Sequence, residues 1–470
     1  MNKLKLIFTL SIFFQANIAL SKNETSSGNN EITEIKMNKE SLFFKDVFLI
    51  PRNYFIAKNA TIKGIFMAHC SNVYIQKKPN NYLYIKIKKK YYRGRIGIFD
   101  ESLCRKFEHR CQMEVHYVDF DIPWKIARKV RRVNIINIFT NTKETFNVNR
   151  IAARSRPYNG LTICVPILYW YNNWLQMFLF LENWRREGNA KIVLYYKSLS
   201  PEVYKLLQYY VETKLVTLHP ASNYPISKTM NPFNLTHGMG TKIFLNDCMY
   251  KRNSKYISIM DVDEYFYVHS GKNKKENVLN FVKRQIPLHP TTSFFNFKSY
   301  HISYKNPYIE PSFNFAKIGY MSVDKKNYLG KSIILTSKIS HVGFHNPQFE
   351  SLNDGHRFKS SQAILLHARS NYILKKRKNL PEIKILYEGE RKDLVDRLNF
   401  IQKQINITLP FVYGPSMEKN LESCMSQKVK KTAKVCFAIY DRCKTTMDSI
   451  GKWIYAEDDF VNFRNFTIFN

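Results

Sequence analysis

The sequence predicts an α/β fold: a mostly parallel sheet with flanking helices, preceded by a β-rich N-terminal module. Three observations carry this. Between residues 161 and 260, short apolar runs alternate with amphipathic stretches at the spacing of strand–helix–strand units. Before residue 155 the pattern is short alternation, as in Tyr82-Leu83-Tyr84-Ile85-Lys86-Ile87-Lys88 and Val133 to Phe139, which reads as strand. The composition is that of a core-forming chain. It is 44% hydrophobic and 15% aromatic over 470 residues, with 16 Gly and 17 Pro, which excludes a disordered polymer and a collagen-like repeat.

The elements follow in order. Met1 to Lys5 carries two lysines, Leu6 to Phe14 is apolar or hydroxylated, and Ala19-Leu20-Ser21 supplies small residues. Residues 1–21 therefore read as a signal peptide or a short membrane anchor, the run being shorter than the roughly 20 apolar residues of a full span. Both readings send the rest of the chain into the secretory pathway, as a single-pass protein or, after cleavage, a secreted one. Residues 22–40 are polar and read as a stem or linker. Residues 41–155 form the β-rich module.

Leu161 to Leu168 reads as a buried strand, and Asn172 to Glu187 as a helix closed by Gly188. Lys191 to Tyr196 is a second strand. Ser200-Pro201-Glu202 starts a helix, with a hydroxyl cap and proline in the first turn. Leu215 to Leu218 is a third strand, Thr241 to Tyr250 a helix, and Tyr256 to Met260 a fourth strand. Residues 376–470 form a helical, cysteine-containing extension.

Eight cysteines suit an oxidising compartment and disulfides. The local pairs Cys104–Cys111 and Cys436–Cys443 fit by spacing, and for Cys164, inside an apolar run, a buried free thiol is the alternative to a disulfide. Sequons at Asn23, Asn59, Asn234, Asn406 and Asn465 permit glycosylation.

The fourth strand runs directly into Asp261-Val262-Asp263-Glu264. In sheets of this kind ligands bind beyond the carboxyl ends of the strands. If the strand continues, alternation puts Asp261 and Asp263 on one side, with Val262 packed and Glu264 turned away to brace the site. Two neighbouring carboxylates repel, and a hard divalent cation relieves that. Mn²⁺ or Mg²⁺ takes oxygen ligands and shares them with substrate phosphates. A second Asp-x-Asp, Asp119-Phe120-Asp121, lies in the β-rich part and reads as a loop or strand end with solvated carboxylates.

Several blocks together resemble glycosyltransferase family 92. They are Cys164-Val165-Pro166-Ile167-Leu168 with Phe178 to Trp184; Asn246-Asp247-Cys248-Met249-Tyr250; and Lys255 to Met260 running into Asp261-Val262-Asp263-Glu264. Lys331-Ser332-Ile333-Ile334, Gly343-Phe344-His345 and Leu366-His367-Ala368-Arg369 resemble its later blocks, the last reading His-Ala-Arg where the family pattern is His-Tyr-Arg. The resemblance covers about residues 160–375. It implies a GT-A-like domain there, and inverting transfer of a hexose, most typically galactose from UDP-galactose, with a manganese-type metal. The layout is similar to nematode-type β-1,4-galactosyltransferases that act on core fucose of a glycan or glycoprotein acceptor, which implies the Golgi lumen or membrane.

On that reading Asp263 and Asp261 hold the metal and, through it, the donor diphosphate. His345 is the choice for a third metal ligand and His367 the runner-up. Arg369 would contact phosphate, and Asp247 would pair within its helix or help bind the donor. Glu264 is the nearest candidate for catalytic base, with Glu310, Asp324, Glu350 and Asp354 further along the chain.

The net charge of +36, from 73 basic and 37 acidic residues, invites other readings. Basic runs occur at Lys86 to Arg95 and Lys125 to Arg132. Alternating lysines are what a solvated strand face looks like, and a lumenal protein rarely meets nucleic acid, so no nucleic-acid partner is expected. A secreted lectin or heparin-binding protein uses the same patches and stays an alternative, as does a catalytically degenerate family member. Residues 160–270 hold 11 basic and 8 acidic residues, so the excess lies outside the strongest motifs.

Overall fold

In the computed structural model, the described residues are 41–51, 59–70, 83–99, 111–138, 140–150, 157–221, 232–251, 253–269, 276–304, 320–343, 347–349, 355–368, 382–384, 388–406, 420–421, 423–424, 439–456 and 467–469. The leader and stem, Cys104, Cys436, His345, Arg369, Glu310, Glu350 and Asp354 lie outside them.

The N-terminal third forms strands β1 (Leu42–Pro51), β2 (Asn59–His69), β3 (Leu83–Ile87), β4 (Lys90–Ile98), β5 (Met113–Pro123), β6 (Arg132–Asn137) and β7 (Thr142–Asn149), with the short helix α1 (Trp124–Ala127) after β5. They make one sheet in the order β2-β5-β4-β3-β6-β7-β1, extended at β1 by the far C-terminal strand Thr467–Phe469. Asp119 and Asp121 lie within β5 rather than in a loop. The Lys63 ammonium is 2.7 Å from Asp119, both side chains being nearly buried, and Arg95 donates to Asp121. The second Asp-x-Asp is thus occupied by cations of its own sheet, and Asp119 is not solvated.

The next segment alternates as the sequence predicts: β8 (Tyr158–Leu168), α2 (Trp174–Glu187), β9 (Ala190–Tyr196), the short β10 (Ser198–Leu199), α3 (Pro201–Glu212), β11 (Val216–Pro220), α4 (Pro232–Leu235), α5 (Thr241–Lys251) and β12 (Ser254–Ile259). The helix ends follow local chemistry. The Asn173 side chain accepts from Gln176 N, and the chain leaves α2 through Gly188 at φ +62°. Ser200 caps α3 on Val203 N, with Pro201 at its first position.

The chain goes on through β13 (Glu264–Val268), α6 (Val278–Gln285), β14 (Phe294–Tyr304), β15 (Tyr320–Leu335), β16 (Ile339–Val342), β17 (Pro347–Phe349), β18 (Gly355–Arg357), β19 (Ala363–His367) and β20 (Glu382–Lys384). It ends in α7 (Glu388–Gln404), α8 (Ile439–Asp448), β21 (Ile454–Tyr455) and β22 (Thr467–Phe469).

The larger sheet has the order β11-β9-β8-β12-β15-β14-β19-β13. Its first four strands are parallel. From β12 onward it is mixed: β12–β15, β14–β15 and β13–β19 are antiparallel pairs, and β14–β19 is parallel. Four of the seven neighbouring pairs along this order are parallel, and the antiparallel ones are confined to the β15 side. Helical crossovers join the first four strands, whereas β14 and β15 follow one another in the chain with no described helix between them.

Apolar side chains from both sheets meet in one core. Phe43, Phe48, Ile65, Met67 and Val115 of the first sheet pack with Val193, Ile257 and Ile259 of the second and with Ile243 and Phe244 of α5. Charge pairs cross the same seam: Lys242 of α5 to Glu114 of β5 at 3.3 Å, both buried, and the part-exposed Lys251 of α5 to Asp46 of β1, Lys251 also pairing with Asp247 in its own helix.

Two disulfides depart from the local pairings expected by spacing. Cys164 of β8 bonds Cys248 of α5, so it is no free thiol, and Cys443 of α8 bonds Cys424, so Cys436–Cys443 does not form. Cys111 is disulfide-bonded as well. Among the described residues no helix is long and apolar enough to cross a membrane.

Candidate active site

The parallel strand β12 ends at Ile259, and the chain does not continue straight. Met260 N donates to Cys164 O at 3.2 Å, and Glu264 N then turns back onto Asp261 O at 3.1 Å. Residues 261–264 thus form a tight turn between β12 and β13. Strand alternation does not extend to Asp261 and Asp263, because they stand on a turn and not on a strand. Glu264 opens the next strand and faces the same cluster rather than away from it. Val262 is buried, as expected.

Each carboxylate of the turn is held by a different element. Lys331 of β15 donates to Asp261 Oδ2 at 3.0 Å and lies 3.3 Å from Glu264 Oε2. His367 Nε2, at the end of β19, lies 3.1 Å from Asp263 Oδ2, with Nδ1 3.9 Å from Glu264 Oε1. The antiparallel register of β13 and β19 sets His367 directly opposite Glu264. Ala368 N donates to Asp263 O at 2.8 Å, so the backbone of the His-Ala-Arg block also grips the turn, and the Ala368 side chain is buried beneath it.

Exposure separates the roles. The side chains of Asp261 and Asp263 are 44% and 19% exposed, whereas Lys331 and Glu264 are 2% and 3% exposed. The aspartates face solvent from a buried base. Glu264 accepts from Asp261 N at 2.9 Å and fastens the turn across its mouth. Burial pushes its carboxyl up to about 8, the nearby Asp261 and Asp263 charges adding to the rise while Lys331 and His367 resist it. Burial alone would pull the Lys331 ammonium below the ordinary lysine range. The Asp261 and Glu264 carboxylates outweigh it and hold the ammonium above the ordinary lysine range.

Lys331 is a residue of this site that the motif reading quoted without a role. The signal was a lysine entering an apolar strand, Lys331-Ser332-Ile333-Ile334-Leu335. Gly330 before it leaves no room for a side chain, since a Cβ there would collide with the Phe297 carbonyl. That close approach of β14 and β15 fixes where Lys331 starts.

Asn246 and Asp247 of α5 do different work. Asn246 is fully buried. It accepts from Val342 N at 2.9 Å and donates to Val342 O at 2.9 Å and Lys242 O at 2.8 Å. It thereby docks β16, the strand that leads toward residues 343–345. Asp247 accepts from Tyr195 OH at 2.9 Å and pairs with Lys251 at 2.8 Å, within the seam to the first sheet. It is not among the side chains that meet at residues 261–264. Asp324 lies in β15. Trp170 is buried in the core.

The described residues hold no ready-made cage of three or more His, Cys, Asp or Glu side chains. Two part-exposed aspartates with one histidine still suit Mn²⁺ or Mg²⁺, which are commonly held by one or two carboxylates and complete their shell with water and phosphate oxygens.

The blocks that meet here are the ones a family shares. The model of glycosyltransferase family 92 matches residues 159–435, more than half of the chain. The chain belongs to glycosyltransferase family 92. The geometry explains why the family-92 blocks go together: the Cys164 block is bonded to the Asn-Asp-Cys block, Asn246 carries β16, and Lys331, His367 and Ala368 close on residues 261–264.

No curated protein matches this family-92 chain. Solved structures are similar to parts of it. The S. aureus TarS fragment 1–349 in complex with UDP-GlcNAc is 8% identical, covering 62% of this chain and 88% of that one with a TM-score of 0.25. A second structure of the same fragment is 11% identical over 33% of this chain and 38% of its own, at TM-score 0.21. The mannosyltransferase PcManGT from Pyrobaculum calidifontis, in complex with GDP-Man and Mn²⁺, is 16% identical over 31% of this chain and 36% of its own, at TM-score 0.21. The chain thus spans little more than a third of the length of two of these structures.

Proposed function

We propose that this glycosyltransferase moves a hexose, galactose from UDP-galactose being the donor to test first, onto a glycan or glycoprotein acceptor such as core fucose. The reading is metal-assisted, inverting transfer in a GT-A-like domain, in the Golgi lumen or at its membrane. One observation carries it: Asp261 and Asp263 stand part-exposed on a turn at the carboxyl end of the parallel strand β12, over a buried base of Glu264 and Lys331.

Asp261 and Asp263 would hold Mn²⁺ or Mg²⁺ together with the donor diphosphate. When bound, such an ion stabilises negative charge on a leaving nucleoside diphosphate. The chain's own contribution is placement. Lys331 would orient Asp261 through its 3.0 Å hydrogen bond. His367 would orient Asp263 from 3.1 Å, or turn its Nε2 to the ion. Glu264 is a positioning residue, since its carboxyl is buried and committed to the Asp261 amide. Pre-set groups of this kind need no rearrangement as charge develops.

The test uses the full chain, UDP-galactose and a fucosylated glycan, with UDP release read with and without Mn²⁺. Release that needs acceptor and Mn²⁺, and that falls on the order of 100-fold or more in Asp263→Ala, supports the reading. Full turnover by Asp263→Ala would overturn the site assignment. A metal-independent rate would remove the cation and leave the transferase. No release with any nucleotide sugar favours a degenerate member.

A further inference from the structure

The hairpin of β3 and β4, helix α1 and the start of β6 line a half-open cavity of about 820 Å³ that shares no residue with the candidate active site. Eight of its 13 lining residues are lysine or arginine and none is acidic. Lys86, Lys88, Lys89 and Lys90 come from the hairpin. Lys125, Lys129, Arg131 and Arg132 come from α1 and the residues after it. All eight side chains are exposed, whereas Ile87, Tyr92 and Ile126 are half-buried and Val130 is buried. The site is a basic rim over an apolar floor.

Pairing of Lys86 with Asn134 across β3 and β6 brings the hairpin tip alongside residues 131–133. Like charges gathered this closely repel unless a ligand answers them. The hairpin tip adds an independent observation. Ile87 pairs with Lys90, so Lys88 and Lys89 form a two-residue turn, and Lys88 sits at φ +55°. Such turns favour Gly, Asn or Asp at positions of positive φ, and a side chain of another type is strained there. Lys88 thus brings its charge to the rim in a backbone conformation that Gly, Asn or Asp would adopt with less strain.

We propose that this cavity binds a sulfated polysaccharide chain, its sulfates against the basic rim and a sugar face against Tyr92 and Ile126. The shape and lining select this ligand over others of like charge. A bilayer surface cannot enter a concavity. Single-stranded nucleic acid needs free aromatic faces for stacking, and the one strongly exposed aromatic nearby, Tyr91, already carries the Lys86 ammonium 5.2 Å from its ring centre. Cations drawn from three elements suit charges repeated along a chain rather than a single phosphate. The inference is independent of the transfer reaction, because a chain with no transferase activity would still bind.

Calorimetric titration of the full chain tests it, with a heparin-derived octasaccharide, the same octasaccharide desulfated, phosphatidylserine vesicles and a single-stranded DNA dodecamer as probes. The variant Lys88→Glu with Lys129→Glu is compared with a charge-matched control, Lys205→Glu with Lys403→Glu, which alters exposed lysines elsewhere. The expected result is binding of the sulfated octasaccharide that weakens with NaCl, is absent after desulfation, falls at least tenfold in the cavity variant and changes less than twofold in the control. No binding, an equal loss in both variants, or tighter binding of vesicles or DNA through the same lysines would each overturn it. An unchanged far-ultraviolet dichroism spectrum in both variants separates loss of the ligand from loss of the fold.

Discussion

Asn246 and Val342 are bonded to each other as two strand residues would be: the asparagine side chain takes the Val342 amide hydrogen and donates to the Val342 carbonyl, each at 2.9 Å. A helix side chain therefore replaces a missing β neighbour for β16. Asn246→Ala would leave both backbone groups buried without these partners, and an unmet buried polar group costs roughly 1–3 kcal/mol. The expected outcome is a loss of about 2–4 kcal/mol in chemical denaturation, with much faster hydrogen exchange at the Val342 amide and little change at β8 or β9.

Lys331 is a buried ammonium held between the part-exposed Asp261 carboxylate and the buried Glu264 carboxyl. Lys331→Met would leave both without that partner, and an unmet buried polar group costs roughly 1–3 kcal/mol. Glu264, whose carboxyl burial pushes up to about 8, keeps its proton in that variant, so adding Glu264→Gln should lose little or nothing more. Urea midpoints of the single and double variants measure this. A double variant much less stable than Lys331→Met alone would contradict the pairing.

The Cys164–Cys248 bond closes a separation of 84 residues. Replacing both cysteines by alanine should lower stability by about 4.5 kcal/mol on the chain-entropy account. The same change at Cys424 and Cys443, 19 residues apart, should cost about 3 kcal/mol. Urea midpoints without reductant give the two values, and the order of the two losses is the sharper test.

Two buried histidines set an acid limit. His116 in β5 is held down to about 4 by burial, its bond with the Glu114 carbonyl resisting only in part. His341 in β16 is held down to about 3 by burial and by Lys63 and Lys242. Below about 6.5 the unfolded chain takes up a proton at each histidine that the folded chain refuses until pH 4 or 3. Stability therefore falls as pH drops through that window. Between pH 7.5 and 5 the loss should be about 2 kcal/mol for each group. Melting temperatures of the parent and His341→Gln across this range would show a flatter profile in the variant.

Much of the parallel half of the fold was legible because its signals are local. Asn173 with Gly188, and Ser200 with Pro201, mark helix ends within a few residues of the bonds they make. What sequence could not supply depends on residues far apart. Lys331 meets Asp261 across 70 positions, and His367 reaches Asp263 only through the register of two strands. The aspartate pair was found as a motif. Its geometry was misjudged because strand alternation was carried through Asp261-Val262-Asp263, where the Glu264 amide turns the chain back. The partner of Cys164 is hidden from the sequence for a similar reason, since it sits on a helix 84 residues away.

The family similarity spans residues 159–435, yet the compact unit spans Met37 to Asn470, and the two do not describe the same object. Phe43, Phe48, Ile65 and Met67 before the similar segment, and Cys443 and Met447 after it, complete the layer that covers Ile243, Phe244 and Ile257. A fragment trimmed to the similarity limits would carry that layer's inner face into water as one wide apolar patch, of the kind that drives aggregation. Anyone seeking a minimal soluble enzyme should remove residues before 37 and leave both flanks in place.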